Sequence, residues 1–274
     1  MKKINFSIEE IQDIILKYNN NWSQRKISEF YNVSRIVIKR VLQEENISIR
    51  KRTNKYYANY DAFENIDSTE KAYWLGFLAA DGCNYQRAEN ASIILTIHQK
   101  DREHLEKFKK FCNTNAKIID YIQNDGYSNN TPMSKIVLNS MKMSNDLIDK
   151  GIVPKKSLIL KKPNISKDFF YPYICGYFDG DGSISKSNQN NNYLINIQGT
   201  KETLLWINDL LNISDRLEKR NKNDNKNSYY LRCGGVYKPY QILNKIYYSC
   251  DIHLERKFNI FKNLETVVLS RNIK

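Results

Sequence analysis

The chain has no run approaching the roughly 18 consecutive apolar residues that a bilayer-spanning helix needs. Its amino-terminal segment MKKINFSIEEIQDIILKY places Glu9, Glu10 and Asp13 inside the apolar stretch, which argues against a secretory signal. Histidine is scarce, with three in 274 residues, so a histidine-based metal cluster is not expected. The five cysteines, Cys83, Cys112, Cys175, Cys233 and Cys250, are odd in number, widely spaced and form no CxxC pair. They argue against a disulfide framework and a zinc site, and for reduced, structural thiols. What is present is 41% hydrophobic and 27% charged, the balance of a soluble globular protein long enough for one large domain or two to three small ones.

The charge is lopsided. Lys and Arg number 43 against 30 Asp and Glu, a net +13. That excess suits a polyanionic partner. It is equally what an AT-rich coding sequence, heavy in Lys, Asn, Ile and Tyr, would give. A membrane surface would require the basic residues to gather on one amphipathic helix, whereas here they are spread along the chain.

Residues 1–50 read as a small helical unit. Ser7-Ile-Glu-Glu10 is a capping box before Ile8, Ile11, Ile14 and Ile15 at helical spacing. Ser23 opens a short second helix with Ile27 and Phe30, and Trp22 and Ile27 are placed as a hydrophobic staple. Tyr31-Asn32-Val33 forms a turn. Ser34 caps a third helix from Arg35 to about Glu44, with Arg35, Lys39 and Arg40 on its outer face. This is a helix-turn-helix layout, and the Trp22-Ser-Gln-Arg-Lys-Ile-Ser…Val33-Ser-Arg segment resembles resolvase-type units. A generic three-helix packing unit with a solvated basic face is the competing reading. Residues 51–68 read as a basic linker, beginning in the run Arg50-Lys51-Arg52.

From residue 69 the chain repeats itself. Tyr73-Trp-Leu-Gly-Phe-Leu-Ala-Ala-Asp-Gly82 is matched by Tyr173-Ile-Cys-Gly-Tyr-Phe-Asp-Gly-Asp-Gly182 at an offset of 100. Each copy is followed by a hairpin pattern, a helix, a second hairpin and a closing helix. The expected fold is therefore α+β: two pseudo-symmetric αββαββα half-domains, 69–165 and 166–274, plus the all-α helix-turn-helix domain 1–50.

The repeated helix breaks a rule twice. Each copy ends in Asp-Gly, with the glycine expected to be left-handed. The aspartate before it faces the negative end of the helix dipole, which costs roughly 0.3–1 kcal/mol. A bound cation would reverse that sign. Gly76 and Ala80, and Gly176 and Gly180, give each helix a small-residue face. Packing the two helices along those faces would bring Asp81 and Asp181 side by side. Two carboxylates without His or Cys form a hard oxygen site for Mg²⁺, with Mn²⁺ the alternative. In a basic chain, that means metal-assisted phosphodiester hydrolysis.

Leu75-Gly-Phe-Leu-Ala-Ala-Asp-Gly82 and Cys175-Gly-Tyr-Phe-Asp-Gly-Asp-Gly182 resemble the motif that names the LAGLIDADG homing endonucleases. The likeness covers roughly residues 60–270 and includes Leu254-Glu-Arg-Lys-Phe258. Ala79 departs from the motif where the second copy keeps Asp179. The resemblance implies a monomer with internal pseudo-twofold symmetry whose two sheets form a DNA-binding saddle. It implies metal at Asp81 and Asp181, and cuts across the minor groove that leave short 3′ overhangs. It further suggests catalytic support from Gln99 and Gln198, with His98 or Gly199 as alternatives, and from Lys156 and Lys257, with Lys155 competing for the former. Base contacts are expected from Asn84, Gln86, Arg87, Lys186, Asn188, Asn196, Lys219, Arg220, Tyr230 and Arg232, in addition to Arg35, Lys39 and Arg40.

The function expected is a site-specific DNA endonuclease of the intron-homing type acting on double-stranded DNA. The alternatives are a non-cutting DNA-binding regulator and an RNA-binding intron maturase. No membrane partner is expected. The expected compartment is the cytoplasm of a bacterial or phage-infected cell, with an organelle as the alternative.

Overall fold

Serines start the first two helices as the sequence suggests. In helix α1 (Ile8–Asn19) the Glu10 N–H donates to Ser7 Oγ at 3.2 Å and the Ser7 N–H to Glu10 Oε2 at 2.8 Å, a complete capping box. Ser23 Oγ accepts from the Lys26 N–H at the start of α2 (Gln24–Phe30). Helix α3 (Arg35–Glu44) follows Ser34, whose side chain makes no cap hydrogen bond, contrary to expectation. Ile14, Tyr18, Ile27, Ile38, Val41 and Leu42 form the core, with Trp22 and Val33 packed at its edge. Ile36 lies outside that core. Arg50 closes the unit: its backbone N–H donates to the Tyr18 hydroxyl at 2.8 Å and its guanidinium to the Tyr18 carbonyl at 3.0 Å.

The computed structural model describes residues 6–50, 56–125, 128–187, 192–214 and 217–272, and the chain divides into two compact units after Asn54. The expected linker 51–68 is shorter than the composition suggests. Residues 51–55 lie outside the described residues, and 56–68 pack onto the second unit. Phe63 is buried there against Phe111, and the Asn59 N–H donates to the Cys112 carbonyl at 2.8 Å. An apolar side chain with a buried slot outweighs the local charge run.

The second unit runs α4 (Thr69–Ala80), β1 (Gly82–Arg87), β2 (Asn90–His98), α5 (Arg102–Phe111), β3 (Ile119–Asp125), β4 (Ser128–Leu138) and α6 (Met141–Asp149). It then repeats as α7 (Phe170–Asp181), β5 (Gly182–Lys186), β6 (Tyr193–Gly199), α8 (Lys201–Leu211), β7 (Glu218–Lys219), β8 (Tyr229–Gly235) and α9 (Tyr237–Tyr247), closing with α10 (Glu255–Asn272). The two αββαββα halves are those read from the repeat. Each builds a four-stranded antiparallel sheet, in the orders β1-β2-β4-β3 and β5-β6-β8-β7.

Alternation along the strands sets which side of each sheet is buried. Ile93, Leu95, Ile97, Ile136 and Leu138 in the first half, and Ile195, Ile197, Leu231 and Cys233 in the second, face the helices. The opposite faces carry Tyr85, Thr96, His98 and Lys135, and Asn196, Gln198, Tyr230 and Arg232.

Helices α4 and α7 join the halves at their small-residue faces. A Cβ at Gly76 would lie 1.9 Å from the Tyr173 carbonyl oxygen, and one at Gly176 would lie 1.9 Å from the Tyr73 carbonyl oxygen. A turn further on, a Cβ at Gly180 would meet the Ala80 Cβ at 2.3 Å. The backbones can approach this closely because no side chain stands between them.

Candidate active site

The crossing at Gly76 and Gly176 brings both helix C-termini together. Asp81 ends the α4 turn and Asp181 is the last residue of α7, and the Asp181 charge reaches Asp81. Protein atoms crowd Asp81 on most sides while one side opens to a cleft. This crowding, ahead of the Asp181 charge, raises its pKa to about 7. Burial also raises that of Asp181, against the opposing pull of Lys156, Lys257 and the Tyr177 hydroxyl. Phe77 stands at the position equivalent to Tyr177, so Asp81 has no counterpart to that hydroxyl.

The sequence suggested left-handed glycines at positions 82 and 182, but neither Gly82 nor Gly182 is left-handed. Gly182 is extended at φ −93°, and each glycine leads straight into a strand. They are glycine for space: a Cβ would meet the Leu78 carbonyl oxygen at 2.6 Å in one copy and the Phe178 carbonyl oxygen at 2.4 Å in the other.

Two buried lysines offset the unfavourable carboxylate placement. Lys156 Nζ donates to the Ala80 carbonyl at 3.0 Å. Lys257 Nζ donates to the carbonyls of Phe178 at 2.9 Å and Asp179 at 2.7 Å, and also reaches that of Gly182. Each cation thus neutralises the helix end that carries an acid. Burial lowers both lysine pKa values while Asp81 and Asp181 pull them back up. Lys156 rather than Lys155 occupies this position; Lys155 is exposed, with φ 57°.

Asp179 serves the helix packing. It is 2% exposed and accepts from the Tyr73 hydroxyl at 2.7 Å, the Tyr247 hydroxyl at 2.9 Å and the Leu254 N–H at 2.6 Å. Burial raises its pKa to about 6. Tyr73 commits its proton to Asp179, so the buried, neutral His104 donates from Nε2 to the Tyr73 oxygen at 2.9 Å.

The cleft beside Asp81 holds about 250 Å³ and is lined by Thr96, His98, Lys100, Asp101, Gly180 and Arg256 among others. Arg256 grips Asp101 with two bonds, 3.2 and 3.1 Å. Gln99 and Gln198 are not equivalent. Gln99 is exposed in the 3-10 turn Gln99–Asp101, whereas Gln198 lies on strand β6 facing away from the core. Gly82 pairs with Leu95 and Gly182 with Ile197, so Thr96 is the register counterpart of Gln198. The alternative, His98, does line the cleft, with its Nδ1 accepting from the Lys100 N–H at 3.1 Å.

The expected base-contacting residues divide by strand phase. Arg87, Asn196, Tyr230 and Arg232 lie on the open sheet faces. Arg232 is bonded to Asn196 at 3.3 Å and Glu218 at 2.8 Å. Arg220 is exposed and its charge reaches Asp181. Asn84 is buried on the helix side instead, donating to the carbonyls of Ser144 at 3.2 Å and Ile152 at 3.0 Å. Gln86 shares that face and donates to Asn145 at 2.9 Å. Lys186 pairs opposite buried Tyr193, and Lys219 opposite Tyr229, which packs on the core, so both fall on the helix side by alternation. Asn188 lies outside the described residues.

Sequence reasoning missed Tyr85 and the Tyr121–Lys135 pair on the first open face. With Tyr230 they give three tyrosines under a cation: Arg87 at 5.3 Å, Lys135 at 4.8 Å and Arg232 at 4.5 Å from the ring centres. Phasing each hairpin on Ile93-Leu95-Ile97 would have placed them. Among the described residues, no helix is long and apolar enough to cross a membrane.

None of the curated proteins matches the chain. Among solved structures it is similar to the meganuclease I-SmaMI bound to uncleaveable DNA, at 13% identity over 72% of this chain and 89% of that one, with a TM-score of 0.48. It is also similar to the I-LtrWI LAGLIDADG homing endonuclease bound to target DNA, at 12% identity over 79% and 92%, with a TM-score of 0.49. A third is the LAGLIDADG homing endonuclease I-GzeII in complex with its DNA target, at 11% identity over 73% and 91%, with a TM-score of 0.49. The family model described as a LAGLIDADG-like domain matches residues 172–246, which run from the second motif helix into α9. The first half of the unit repeats the order of elements found in the matched residues.

Proposed function

We propose that the chain is a site-specific DNA endonuclease of the homing type, cutting both strands by metal-dependent phosphodiester hydrolysis. The observation that carries this reading is the pair of carboxylates at two helix C-termini, both made harder to ionise by burial, with the Asp181 charge adding to the rise at Asp81. Carboxylates whose proton affinity is raised in an all-oxygen site fit a divalent cation, which relieves both at once. Asp81 and Asp181 would hold it. Bound there, Mg²⁺ or Mn²⁺ supplies charge stabilisation at the scissile phosphate and activation of water.

The chain's own groups do the rest. Lys156 and Lys257 keep the carboxylates anchored at the helix ends and leave positive charge beneath the reacting phosphates. Gln198 on one sheet, and Thr96 with His98 on the other, sit where a strand entering the site would pass. The tyrosine–cation pairs on the open faces offer base-edge and phosphate contacts. The unit of residues 6–50, with Arg35 and Lys39 exposed on α3, adds contacts at one end of the site.

A regulator that only binds DNA, or an RNA-binding maturase, would have no use for two mutually repelling acids at this crossing, so cutting is favoured. Incubating the protein with a random-sequence DNA library and Mg²⁺, then sequencing cut ends, tests the reading. A recurrent site with a short fixed stagger between the two strand breaks is expected. An uncut library, or cuts without sequence preference, would refute it.

A further inference from the structure

Helix α3 carries its apolar residues in two places. Ile38, Val41 and Leu42 are buried in the unit's core, as an amphipathic helix requires. Ile36 is not: it is 76% exposed on the first turn. Its exposed neighbours are Arg35, Lys39 and Gln43, with half-buried Arg40 at the flank beside Glu44. The exposed aliphatic side chain of Ile36, with half-buried Val37 next to it, therefore stands in a field of hydrogen-bond donors and cations. A β-branched residue in that setting adds neither helix propensity nor core burial.

We infer that Ile36 reads the 5-methyl group of a thymine in the major groove. This rests on the reading that the first unit binds DNA. The chemistry of the face selects the ligand. Cations suit phosphates on either side of a groove, and the first turn of such a helix is the part that meets base edges. The thymine methyl is the apolar group that the major-groove edges of the base pairs present, and an exposed aliphatic side chain at that point matches it. Arg35 and Lys39 hold the helix on the backbone while Ile36 discriminates.

The test uses the full-length chain without divalent metal, so that DNA is bound and not cut. Sites are selected from a random DNA library, and each thymine of the selected site is replaced in turn by deoxyuridine, which lacks only the methyl. At one thymine in the outer part of the site, this should weaken binding about fourfold, the worth of one buried methyl group. Ile36→Ala, a surface change that leaves the core intact, should bind the thymine site about fourfold more weakly and no longer distinguish thymine from uracil there. Retained discrimination in Ile36→Ala, or no uracil-sensitive position in the parent, would overturn the inference. The double variant Arg35→Ala/Lys39→Ala separates the two failures. If it binds as tightly as the parent, the first unit does not touch DNA and the underlying reading falls. If it weakens binding while Ile36→Ala keeps the discrimination, only the thymine inference falls.

Discussion

Asp179 shows how one substitution between repeats changes a residue's role. The first copy has Ala79 at that position, and the second has a carboxylate that gathers Tyr73, Tyr247 and the Leu254 N–H. Three buried donors share one acceptor, so Asp179→Ala should destabilise the fold by about 2–4 kcal/mol in urea unfolding, since each stranded donor costs about 1–3 kcal/mol. The pH dependence has a definite sign. Burial raises the folded pKa to about 6, above the ordinary value of 3.8, so the folded state holds its proton more tightly than the unfolded one. Its contribution is complete below about pH 4 and is lost as pH rises through 6. Asp179→Asn cannot ionise. The stability of that variant relative to the parent should therefore rise between pH 4 and pH 7, as measured by unfolding at each pH. A constant difference would contradict the assigned protonation.

At the scale of elements, the crossing of α4 and α7 decides everything near the site. Gly76→Ala places a methyl 1.9 Å from a backbone oxygen, with no flexible side chain to yield. The helices must part, and a loss of about 3 kcal/mol is expected, together with loss of cutting as Asp81 and Asp181 separate. Gly234→Ala is the control: its added Cβ finds no atom closer than 3.9 Å, so its melting temperature should stay within about 2 °C of the parent. This crossing was legible in the sequence because small residues four apart, on two helices that both end in Asp, serve close backbone approach and little else. The serine caps and the αββαββα order were legible for similar reasons, each resting on a local or repeated pattern. Strand phase was not. Asn84 and Gln86 look like ideal base readers by type, yet they fall on the same face as Ile93 and Leu95, and a slip of one residue exchanges the two faces. The lysine caps were half legible. The resemblance pointed to Lys156 and Lys257, but their bonds to helix-end carbonyls depend on chain segments 76 to 79 residues away. Distances of that kind leave no local trace. The pairing of Gln99 with Gln198 failed for a related reason: the second hairpin is two residues longer than the first, which shifts the register of everything after it.

For the whole molecule, a net charge of +13 and two open sheet faces with cation-covered tyrosines imply an extended contact with phosphates. With about 6–10 phosphates neutralised, affinity for the selected site should fall about 10³–10⁵-fold between 50 and 200 mM salt, measured by titration without divalent metal. A flat profile would remove nucleic acid as the partner. The central claim is narrower: two carboxylates, one from each half, are needed for cutting and not for binding. The direct measurement takes Asp81→Asn and Asp181→Asn, which remove charge and little volume, and follows cleavage and binding of the same selected DNA in Mg²⁺ and in its absence. Each variant should lose double-strand cleavage by at least about 10³-fold, since each removes a ligand charge from the reacting centre, while its affinity stays within about tenfold of the parent. Full cleavage by either variant would contradict the account.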